Sequence, residues 1–144
     1  MIKRRAVFLL AVTLTLAGPV AAKAADLPEL TKYLGLIEGF QYMFEYCQTK
    51  TKLSSDQVKY ARGHIAERRA LIFAGLDEAA RKKISVDAQA MKKLVLDSMM
   101  KKLRESEPNW DLGDWCKGGL LDGVIDSEQK SETKEVAAIR KAKT

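Results

Sequence analysis

Residues 109–119, NWDLGDWCKGG, hold both tryptophans of the chain, one of its two cysteines and three glycines. Most of the remaining sequence is of the Ala/Leu/Lys/Glu kind that forms helices, so this concentration of bulky, reactive and small side chains marks an anchor of the fold. Indoles supply area to bury, a thiol supplies a cross-link, and glycines let backbones approach closely. The other cysteine is Cys47, and a Cys47–Cys116 disulfide is the expected partner of this anchor. Closing a loop of about 70 residues contributes roughly 4 kcal/mol in the unfolded-chain entropy model. No C-x-x-C is present, so a dithiol redox enzyme is not indicated.

The disulfide expectation depends on compartment, and the N-terminus addresses that. Lys3, Arg4 and Arg5 precede an apolar run from Ala6 to Leu16, Gly18-Pro19 break it, and Ala22-Lys23-Ala24 fits a small-x-small cleavage site. Residues 1–24 are therefore expected to be a cleaved signal peptide, and the mature protein to be periplasmic or secreted, with no stable membrane span once the leader is gone. The leader carries four of the 25 basic residues, which leaves 21 against 19 acidic ones. The high isoelectric point is thus largely a property of the leader and gives no ground for nucleic-acid binding.

The rest is long enough for one core. Residues 25–126 are expected to form one all-α domain, a compact bundle of about four helices, followed by a polar, mostly solvated tail at 127–144, either flexible or a marginal helix around Glu135 to Lys141. The first helix runs from about Pro28 to Gln48 with two overlapping apolar stripes, which predicts burial on most of its surface. Ser54-Ser55-Asp56-Gln57 carries a capping-box pattern ahead of a second helix, and Gly75 sits where that helix ends. A third long helix is expected from a cap at Ser85 or Asp87 up to Pro108, after a separate turn or short helix at 77–84. A fourth, glycine-rich helix is expected from a cap at Asn109 or Asp111 to about Asp126.

Gly35 and Gly39 lie four residues apart, as do Gly119 and Gly123, and the expected disulfide sets the two pairs at nearly one level. That spacing predicts a notch in which two helix backbones meet, with Phe40 filling it over Gly119 and Gly123. A ligand pocket lined by Trp110 and Trp115 is the alternative use of the aromatics.

Chemistry-bearing motifs are sparse. With His64 as the sole histidine a multi-histidine metal site is ruled out, and Asp111-Leu-Gly-Asp114 lacks the alternating oxygen ligands of a calcium loop. Neither a metal nor a cofactor is expected. Glu38 and Glu45 share a helix face but stand about 10 Å apart along the axis, wider than a retaining glycosidase needs. On the second helix Tyr60, His64, Glu67 and Leu71 form a stripe nearly opposite the inner face, which makes Tyr60, His64 and Leu71 candidates for partner binding; contact with a neighbouring segment is the alternative. Charge is segregated: residues 50–104 carry fourteen bases and six acids, whereas 105–128 carry one base and seven acids. This points to internal complementarity between helices or to a basic face for an anionic envelope partner.

YLGLIEGFQYMFEYC, residues 33–47, is similar to the glycine-rich first helix ending in cysteine of some exported immunity proteins, and the size and single disulfide resemble acid-protective periplasmic chaperones. Both likenesses bear on class alone. The expected function is that of a small exported helical protein that binds a protein or envelope partner as an accessory, inhibitor or chaperone. The alternatives are an acid-activated periplasmic holdase and a small cell-wall glycan hydrolase working through carboxylates.

Overall fold

The structure, a computed structural model, describes residues 24–109 and 111–144, and of Leu120 the backbone alone. Apart from Ala24, the expected leader lies outside the described residues, and so does Trp110. The described residues form five α-helices and no strand: α1 (Leu27–Lys50), α2 (Ser55–Phe73), α3 (Glu78–Ser106), α4 (Leu112–Lys117) and α5 (Leu120–Ala142).

Local chemistry sets the helix starts. Asp26 caps α1 by accepting from the Glu29 N–H at 3.1 Å, with Pro28 in the first turn. The Ser54 hydroxyl accepts from the Gln57 N–H while the Gln57 carbonyl oxygen accepts from the Ser54 N–H, completing the capping box of α2. Gly75, at φ +74°, takes the left-handed conformation just beyond that helix. The start of the third helix corrects the sequence reading. Asp77 is the cap, accepting from Ala80 N–H at 2.8 Å, and one helix runs from Glu78 to Ser106. No Gly or Pro interrupts that span, and Ser85 sits inside it with its hydroxyl donating to the Arg81 carbonyl.

α1 is the axis of the bundle, as its double stripe predicts. Around it, α2 and α5 run antiparallel to it and α3 runs parallel. At one end Leu30, Leu34, Ile72, Leu76, Ile84, Ala88, Ile139 and Ala142 make a core to which α1, α2, α3 and α5 all contribute. In the middle Ile37, Phe40, Phe44, Ala61 and Ile65 join α1 to α2. At the far end Met43, Cys47, Leu112, Trp115, Cys116 and Leu121 surround the Cys47–Cys116 disulfide, which ties the C-terminal part of α1 to α4 across a Cα–Cα distance of 5.3 Å.

Two further expectations are overturned. The fourth helix is broken at Gly118-Gly119: Asp111 caps α4, and Gly119, at φ +78°, turns the chain into α5. The glycine notch does not form. A Cβ at Gly35 meets Met91 Sδ of α3 at 2.9 Å, whereas one at Gly39, Gly119 or Gly123 meets nothing within 4 Å. Phe40 instead sets its ring edge against His64, with centroids 5.4 Å apart. Nor is residues 127–144 a solvated tail. They continue α5, whose Ile139 and Ala142 enter the core, while Ala142 carbonyl accepts from Asp26 N–H at 2.7 Å. Lys143 then caps α2, its ammonium donating to the carbonyls of Leu71 at 2.7 Å and of Ala74.

Candidate functional site

Two features stand apart from the packed core. The first is an apolar groove of about 420 Å³ between α1 and α3, floored by Phe40 and Trp115 and walled by Leu36, Met91, Val95 and Met99. It exists because the apolar stripe of α3 outruns its cover. Ile84 and Ala88 are buried, but further along the helix Val95 is 51 % exposed, and Leu36, which lines the groove with it from α1, is 50 % exposed. The glycines at 35 and 39 lower the α1 side of the groove. Lys92 of α3 lines the groove without a carboxylate partner among the described residues, and Glu128 of α5 lines it as well.

The second feature is polar and lies between α2 and α5. Tyr60, His64 and Arg68 of α2 face Glu128, Glu132 and Glu135 of α5. His64 Nε2 is 3.1 Å from Glu128 Oε2, Arg68 Nη2 is 3.3 Å from Glu132 Oε1, and Arg68 Nε is 3.9 Å from Glu135 Oε2. Tyr60 stacks on the His64 ring at 5.5 Å. Burial, together with the nearby Glu132 and Glu128, pushes the Tyr60 phenol up to about 12. Burial, and next the Glu128 charge, raises Glu135 above the usual carboxylate range, against the pull of Arg68 and His64.

The candidate partner stripe on α2 is therefore occupied from within the chain. His64 is buried and Tyr60 half-buried beneath α5, and Leu71 packs against the core at the α1–α5 end. The neighbouring segment is the one read as a tail. Sequence reasoning missed Arg68, Glu128, Glu132 and Glu135, although a signal was there. Leu121, Val124, Glu128, Glu132, Glu135, Ile139 and Ala142 fall on one 3.6-residue stripe, and its polar members had the look of a solvated face.

Glu38 is a brace between helices. Its Oε1 accepts from Arg69 Nη2 at 2.6 Å and its Oε2 from Gln89 Nε2 at 3.0 Å, joining α1 to α2 and α3. Glu45 is exposed and accepts from Gln41 on its own helix. Trp115 is buried beside the disulfide and also borders the groove. Segregated charge is answered in part by internal pairs, Arg69 with Glu38 and Arg68 with Glu132 and Glu135. No helix of the described residues is long and apolar enough to cross a membrane. Compared with protein-family models, curated proteins and solved structures, the chain matches none.

Proposed function

We propose that this protein works outside the cytoplasm by binding another protein, and that its contact surface is the groove between α1 and α3. The observation that carries the reading is the uncovered apolar wall, Leu36 and Val95 beside Met91 and Met99, where two exposed large hydrophobics of different helices line one groove. A groove bounded by two parallel helices takes the apolar face of a third, anchored at i, i+3/i+4 and i+7. Methionines suit such a site because their side chains adapt to an incoming surface. Lys92 on the α3 side favours a partner helix with a carboxylate facing it. The leader-like N-terminus and the disulfide support an exported setting. Engagement of both Glu38 oxygens in braces between helices weighs toward binding and away from glycan hydrolysis.

A photo-crosslinking residue placed at Val95, and in a separate variant at Val86, tests this in cells that export the protein. Both positions are exposed, but Val86 lies outside the groove. The expected result is one adduct of defined mass from position 95 that is lost in Leu36→Asp and never formed from position 86. Equal labelling from both positions, or adducts that persist in Leu36→Asp, overturns the reading.

A further inference from the structure

The α2–α5 cluster is short of positive partners. His64 and Arg68 come from α2, Glu128, Glu132 and Glu135 from α5, and α1 contributes the edge of Phe40 and, within electrostatic reach of Glu135, the Tyr33 phenol. Three carboxylates thus face one permanent cation, and the guanidinium lies toward Glu132 and the Oε2 side of Glu135. Five buried polar atoms of the cluster make no hydrogen bond: the Tyr60 hydroxyl, His64 Nε2, Arg68 Nε, Arg68 Nη2 and Glu135 Oε1. The His64 side chain is 1 % exposed, and its Nε2, although 3.1 Å from Glu128 Oε2, makes no hydrogen bond. The Glu135 side chain is 9 % exposed, and its Oε1 has no partner. Buried polar atoms of folded proteins are almost always paired, and leaving one unpaired costs about 1–3 kcal/mol. Two of these atoms, the imidazole nitrogen and the Glu135 oxygen, belong to side chains that stand beside the Glu128 carboxylate, and a bound cation would satisfy both.

One ligand atom each from His64, Glu128 and Glu135 lies within 4.8 Å of the other two. Side-chain rotations of an ångström or so bring three such atoms to the 2.0–2.2 Å that a small dication requires. We propose that His64 Nε2, Glu128 and Glu135 bind a zinc-class divalent cation, which pins α5 to α2. The donor set selects the class: an imidazole nitrogen favours zinc and its transition-metal neighbours over magnesium or calcium, which prefer all-oxygen shells. Tyr60, stacked on the imidazole, holds the ring plane, and three protein ligands leave a further position for solvent. Arg68 stays on the far side of Glu135 and orients that carboxylate as a supporting contact does at other metal centres.

His64 being the sole histidine makes the test direct. Untagged full-length chain with its disulfide intact, stripped with chelator, is titrated with zinc sulfate while the imidazole nitrogens are followed by NMR and the heat by calorimetry. The expected result is one zinc per chain, displacement of the His64 Nε2 resonance, a rise in Tm, and no such response to magnesium. His64→Gln and Glu135→Gln are each expected to weaken zinc binding by about tenfold or more. Because the NMR readout uses the wild-type protein, it stands even where a variant fails to fold. Absence of zinc binding, or binding that leaves the His64 resonances unmoved, overturns the proposal.

Discussion

α3 is one uninterrupted helix whose two halves meet different fates. Near its start Ile84 and Ala88 are closed in by α1, the end of α2 and the end of α5; from Met91 onward its apolar residues meet α1, the short α4 and the first turns of α5, and no residue there is fully buried. Both halves carry apolar residues at helical spacing. What differs is the supply of neighbours: α2 and α5 both finish at the α3 N-terminal end, where Asp26, Leu71 and Ala74 are tied to Ala142 and Lys143. Amphipathicity states which face of a helix prefers to leave water, and topology decides whether there is anything to cover it. The half left bare is the half that we assign to a partner.

The difference between the closed and open ends can be broken by mutation, and the largest effect is expected at the staple. Replacing both Cys47 and Cys116 by Ser removes the one covalent tie at the open end, and chain entropy sets the loss at about 4 kcal/mol, measured as a shift in the urea midpoint. At the closed end Ile139→Ala leaves a cavity among residues of four helices, and about 3 kcal/mol of destabilisation is expected. A loss under 1 kcal/mol there shows that residues 127–144 behave as the solvated tail that composition suggests.

Tyr60 gives a smaller effect with a defined pH signature. Its folded-state phenol sits at about 12 against 10.0 for the free side chain, so the folded protein holds that proton more tightly than the unfolded chain does. The stabilisation is complete below pH 10 and drains away as the pH rises toward 12. Urea titrations across that window are expected to show a steeper loss for wild type than for Tyr60→Phe, and parallel curves refute the burial of that hydroxyl. Smallest of all is Leu94→Ala on the exposed face of α3, where a change within about 0.5 kcal/mol is expected. A larger destabilisation means that α3 is covered at this end in solution, for instance by a second copy, and concentration-dependent Tm then identifies it.

How far the sequence could be read follows from the range of each interaction. The cap at Ser54, the helix stop at Gly75, the buried axis at 28–48 and the Cys47–Cys116 pairing were all legible, and the α4 cap was narrowed to Asn109 or Asp111, because capping and periodicity are local and two cysteines leave one pairing. The start of α3 was misplaced because Asp77 and Asp87 are both competent caps, and only the continuous packing of Ile84 and Ala88 chooses between them. Of the polar cluster only the α5 stripe was legible, not what it faces. His64 and Glu135 are 71 residues apart, and nothing local distinguishes carboxylates turned toward solvent from those turned toward a buried imidazole. By itself, then, the sequence determined an all-α, single-disulfide chain and most of its helix ends. Tertiary structure alone decided that the polar C-terminal segment is a packed helix, that its glutamates meet His64 and Arg68, and that half of α3 stays bare. Those outcomes depend on which helices run out of length first, a property of the assembled bundle that no single segment encodes.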